Sequence, residues 1–70
     1  MKILEAYTEK DGKKLRLLIE EDTSVGFYLI VYPEGEAKSI ADYLQDSLEE
    51  VFADAEERYG VSRNDWIKLG

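Results

Sequence analysis

The side chains able to do chemistry in this sequence are carboxylates. Sixteen of its 70 residues are Asp or Glu against nine Lys and Arg, and there is neither histidine nor cysteine. In the second half the acids recur as Asp42, Asp46, Glu49, Glu50, Asp54, Glu56 and Glu57, with only Arg58 near the end of the run. Carboxylates at this density can hold a divalent cation, exchange protons with a substrate, or meet a positively charged partner. Cation binding needs acids that enclose an ion, and regularly spaced acids without a Gly-containing calcium loop do not. Acid–base catalysis needs a cleft that drives two pKa values apart. The chain also has no Gly-rich phosphate loop and no nucleophile elbow, so the expectation is that it is not an enzyme and takes no cofactor or metal. Docking on a basic protein needs only a one-signed surface. Asp42, Asp46, Glu49, Glu50, Asp54 and Glu57 are therefore the candidate partner-binding residues. An ordinary solvated helix face, whose early acids complement the helix dipole, accounts for the same residues without a partner.

The element that must position these acids is a helix. On a wheel at 100° per residue, Ile40, Leu44, Leu48, Val51, Phe52, Ala55 and Tyr59 fall in one arc, which predicts an amphipathic helix over 40–59. Ser39 with Asp42 resembles a capping box at its start, and Gly60 supplies a left-handed stop. The acids then occupy the opposite face. Pairs such as Asp42 with Asp46, Asp46 with Glu50 and Glu50 with Asp54 lie at i,i+4, where like charges cost a few tenths of a kcal/mol each. Val61 is expected to fold back on the last turn, and one further turn at residues 62–65 to deliver Trp66 to the edge of the core.

Before the helix the pattern is β. Asp11-Gly12 between two β-prone runs, 2–8 and 14–20, is a strong hairpin signal, because both turn residues must reach positive φ. A two-residue turn sets Leu4 against Ile19, Ala6 against Leu17 and Thr8 against Leu15 on one face, with Tyr7 against Arg16 and Glu9 against Lys14 on the other. A second turn at 22–26 leads into Phe27-Tyr28-Leu29-Ile30-Val31-Tyr32, which reads as a strand ended by Pro33. Its parity is open, since one residue of slip exchanges its two faces. Phe27, Leu29 and Val31 are the favoured inward set, because a tyrosine hydroxyl tolerates a wet face. The predicted fold is α+β: a three-stranded antiparallel meander packed on one long C-terminal helix (βββα), in a single domain over 1–70.

One helix covers one face of such a sheet. The other face would carry Tyr7, Arg16, Leu18, Tyr28, Ile30 and Tyr32, too apolar a set for an indifferent surface. Tyr7, Leu18, Tyr28, Ile30 and Tyr32 are the candidate self-association residues, with a homodimer as the consequence. Tyrosines scattered on a solvent face, with the Arg16 stem over some of them, are the alternative.

Composition bounds the remaining possibilities. The net charge of −7 argues against nucleic acid and against an anionic membrane, since phosphate recognition depends on clustered Lys and Arg. Hydrophobic residues at 44% and charged residues at 36% form a globular balance, not that of a disordered chain. No disulfide or thiolate metal site supplements the small core. The longest apolar stretch, 27–32, is far short of the ~20 residues that span a bilayer, and the first residues lack a signal-peptide core, so a cytoplasmic location is expected.

From Asp46-Ser47-Leu48-Glu49, through Ala55-Glu56 and Tyr59-Gly60-Val61, to Trp66, the last thirty or so residues resemble a group of small uncharacterised bacterial proteins. That resemblance implies no activity. The run from Asp46 to Glu50 is also similar to the helix start of HicB-type antitoxins, without the proline, glycine and cysteine pattern those proteins carry before that helix. With the acidic face, the expectation is a bacterial protein-binding module that docks on a basic partner as an antitoxin or immunity protein would; the competing expectation is a homo-oligomeric structural protein with no separate ligand.

Overall fold

A computed structural model describes residues 1–69. The chain is α+β: strands β1 (Lys2–Lys10), β2 (Lys13–Asp22), β3 (Gly26–Pro33) and β4 (Ala41–Gln45), helix α1 (Leu48–Tyr59), a 3₁₀ turn (Arg63–Asp65) and the short β5 (Ile67–Lys68). The strands form one antiparallel sheet in the order β4-β3-β2-β1-β5.

The first hairpin forms as its turn chemistry dictates. Asp11 and Gly12 sit at φ 53° and 78°, the left-handed pair that suits the twist of two short-linked strands. Leu4 pairs with Ile19, Ala6 with Leu17 and Thr8 with Leu15, as the spacing predicts. A shift in register between Lys2 and Leu4 lets Ile3 reach the core as well. On β3, Leu29 and Val31 are fully buried and Phe27 packs against the core, so the favoured parity is the one adopted.

The helix is shorter than the apolar arc predicts, and it is not the last element. Residues 41–45 form β4, paired with β3 from Phe27↔Gln45 to Val31↔Ala41. Two periods overlap here. Ile40, Leu44 and Leu48 are spaced four apart as on a helix, yet Ala41, Tyr43 and Gln45 alternate with Asp42 and Leu44 as on a strand. β3 would otherwise present an open row of backbone groups at the sheet edge, and a strand at 41–45 pairs that row, which an extra helical turn would leave open. Ile40 and Leu44 accordingly lie exposed, not on the helix seam. The true N-cap is Ser47: its hydroxyl accepts from the Glu50 N–H at 3.2 Å and donates to the Glu50 carboxylate at 3.0 Å. The predicted cap at Ser39 with Asp42 is corrected by this finding.

From Leu48 onward the arc holds. Val51 and Ala55 are fully buried, and Leu48, Phe52 and Tyr59 pack around them. Gly60, at φ 69°, closes the helix through backbone bonds to Ala55 and Glu56. Val61 turns back into the core, donating its N–H to the Ala55 carbonyl at 3.3 Å. The 3₁₀ turn then sets Trp66 beside Phe52, ring centroids 6.1 Å apart, and β5 joins β1 at Leu4 and Glu5. The main core cluster lies between α1 and one face of the sheet, while buried Leu18 lies on the other face. A three-stranded meander is thus corrected to five strands, with β4 and β5 as its outer members.

Candidate functional site

The acids do not share one surface. Asp42 lies on β4 opposite Ile30, on the sheet face turned away from α1, and Asp46 lies in the turn before the helix. The helical i,i+4 geometry expected for Asp42 with Asp46, and for Asp46 with Glu50, is therefore absent. On the helix, Glu49 is gripped by both guanidinium nitrogens of Arg63, and that hydrogen bonding holds its carboxyl below the usual range. Glu50 serves the Ser47 cap. Asp54 accepts from Arg58 Nε at 2.6 Å and from Gln45 Nε2 at 3.2 Å, which ties β4 to the helix. Glu56 and Glu57 are exposed, and neither forms an ion pair among the described residues. Among the described residues no group of three carboxylates is close enough to hold a metal ion. No helix there is long and apolar enough to cross a membrane.

The sheet face opposite the helix, in contrast, brings its candidates together. Alternation along β1, β2 and β3 places Tyr7, Leu18, Tyr28, Ile30 and Tyr32 on one surface. Leu18 at its centre is only 1% exposed although no element of the chain lies over this face. Around it, the Arg16 guanidinium lies 4.6 Å from the centre of the Tyr32 ring and 3.3 Å from the Glu5 carboxylate. Tyr7 and Leu44 are each 51% exposed and Ile67 is 57% exposed.

Leu44 and Ile67 extend the surface to both outer strands, and sequence reasoning missed them. The signal for Leu44 was the alternation through 41–45; a two-residue strand at Ile67 carries no local signal. Register orders the face into rows. Ile67, Glu5, Leu18, Ile30 and Asp42 form a middle row across all five strands. Tyr7, Arg16 and Tyr32 lie on one side of it, and Lys2, Glu20, Tyr28 and Leu44 on the other.

Two other places bring polar and charged groups together. An open groove between the β1–β2 turn and the loop after β3 exposes Ile40 between Lys13, Lys14, Glu34 and Glu36, charges of both signs around an apolar floor. It contains no nucleophile and no convergent donors. On the helix side, the hydroxyls of Tyr43 and Tyr59 lie 3.0 Å apart, with Arg58 over one ring and Lys10 over the other, an arrangement that joins β4, α1 and β1. Comparison of the chain with protein-family models, with curated proteins and with solved structures finds no match to any of them.

Proposed function

We propose that this chain works as a small protein-binding module and that the open sheet face is its contact surface. One observation carries the reading: the five-stranded face opposite the helix has a buried apolar centre at Leu18, flanked by Ile30 and three tyrosines and continued by exposed Leu44 and Ile67. Apolar patches of this kind, rimmed by charge, mark contact sites. Tyrosine-rich surfaces give large contact area for little lost side-chain freedom.

The test is site-specific photocrosslinking in cells. A photoreactive residue at Leu44 is expected to yield a defined protein adduct, and the same residue at Glu56 on the helix none. Adducts from Glu56 alone would overturn the reading. They would favour the second one, in which the acidic helix docks on a basic partner as an antitoxin or immunity protein would. That second reading is supported by the solvent-facing carboxylates of Asp46, Glu56 and Glu57, none of which has an ion-pair partner among the described residues. Reversing Glu56 and Glu57 to Lys would then abolish the adduct.

A further inference from the structure

We infer that the occupant of the open sheet face is a second copy of this chain, related by a two-fold axis that runs along the middle row of the face, perpendicular to β2. This rests on the face being a contact surface and adds its partner and geometry. The argument is the charge layout of the rows. Along β2 the outward residues pass from Lys14 and Arg16 through Leu18 to Glu20, basic on one side of the middle row and acidic on the other. A two-fold axis along that row turns one side onto the other.

Arg16 of one copy then faces Glu20 of the second, two residues from the axis in each chain. Tyr32 faces Tyr28 of the second copy, and Tyr7 faces Lys2, an ammonium against an aromatic ring. Ile30 and Ile67 meet their own counterparts on the axis, on either side of the already buried Leu18, as an isologous contact requires. The axis also sets Glu5 and Asp42 against themselves. Glu5 is already neutralised by Arg16 in its own chain, and Asp42 sits at the solvent rim on the outermost strand. The alternative axis, along β2, would oppose Arg16 with Arg16 and Glu20 with Glu20. Glu20 has no ion-pair partner within the chain among the described residues, so the antiparallel arrangement supplies the one it lacks.

The available area fits a modest dimer. Five strands ~4.8 Å apart, read over three rows and their margins, present on the order of 600 Å² in plan. A stable interface of standard size takes about 800 Å² from each partner. The pairing is therefore expected to be weak and concentration-dependent, to be sought in the micromolar to millimolar range.

Light scattering across that range tests the inference, with circular dichroism to confirm folding. The wild type is expected to double in mass as concentration rises. Arg16→Glu and Glu20→Arg are each expected to remain monomeric alone and to form a heterodimer when mixed, because each mixed contact is again opposite in sign. Ile30→Cys, the only thiol in the molecule, is expected to be joined to its counterpart by a short bis-maleimide, whose span suits two sheet faces about 10 Å apart, since only the proposed axis sets position 30 against itself; the other axis sets Ile30 against Glu5. The cysteine variant needs no charge change, so it decides the geometry even if Arg16→Glu fails to fold. A wild type monomeric at millimolar concentration, or an Ile30→Cys variant that the bis-maleimide does not join at that concentration, overturns the inference. If Leu44 still crosslinks a different protein in cells, the contact surface stands and only self-pairing falls. If Leu44 yields no adduct and the wild type stays monomeric at millimolar concentration, both fall.

Discussion

The hydroxyls of Tyr43 and Tyr59 lie 3.0 Å apart, so a single hydrogen bond ties the edge strand β4 to the last turn of the helix. Burial, and after it the bond to Tyr43, pushes the Tyr59 phenol up to about 12 from its ordinary 10.0. Because the folded chain keeps this proton where the unfolded chain has lost it, stability is expected to be undiminished below pH ~10 and to fall as pH rises from there towards 12. Urea midpoints across that interval should decline, and Tyr59→Phe should flatten the decline. An equal slope in the variant would place the titration elsewhere.

Gly26 begins β3 at φ 132°, and a β-carbon there would press into the Gln45 carbonyl oxygen of the neighbouring strand. Gly26→Ala should therefore combine backbone strain with a backbone clash, and a cost of roughly 1–3 kcal/mol is expected from the strain alone. Gly60→Ala, at φ 69° with open space around it, should cost only the left-handed penalty of ~1–2 kcal/mol. Chemical denaturation of both variants checks the order. In Gly26→Ala, amide exchange should also accelerate first in β4.

The helix start can be located by alanine substitution. Ser47→Ala removes the cap of the Glu50 N–H and should cost about 1 kcal/mol. Ser39→Ala, at the position the apolar arc selects, should fall within about 0.5 kcal/mol of wild type. Thermal unfolding of the pair separates a helix that begins at Leu48 from one that begins near Ile40.

Packing makes the same distinction. Val51→Ala opens a hole in the fully buried seam and should cost roughly 2 kcal/mol from lost burial and the cavity together. Leu44→Ala, on the exposed outer strand, should leave the stability of the dilute chain within about 0.5 kcal/mol of wild type. A large loss at Leu44 in dilute solution would contradict the strand.

The first hairpin was legible because two signals agreed: Asp11-Gly12 accepts positive φ, and the residues on either side alternate with the same parity. The inward face of β3 followed from chemistry, phenylalanine inside and tyrosine out. The stretch from Ile40 to Leu48 was not legible, since its apolar residues satisfy a helical spacing and a strand alternation together. Local pattern has no means of choosing between them; the free edge of β3 does. The acids inherited that error. Asp42 left the helix for the far face of the sheet, and Asp54 and Glu49 turned out to be bound to Arg58 and Arg63. The i,i+4 spacing of Asp54 and Arg58 is a local signal, but spacing along a helix does not reveal that Arg63, past the helix end, reaches back to Glu49.

Sequence by itself determined the class of the fold, the hairpin and its register, the helical seam from Leu48 to Tyr59, and the apolar character of the face around Leu18. These depend on short-range periodicity and on turn chemistry, which neighbouring residues specify. Tertiary structure decided that the sheet has five strands, that Leu44 and Ile67 widen its open face, and that Ile67, Glu5, Leu18, Ile30 and Asp42 line up in one row. Each of those depends on pairing between strands distant in the chain, where backbone hydrogen bonds carry no side-chain signature and the available partner edge selects the conformation.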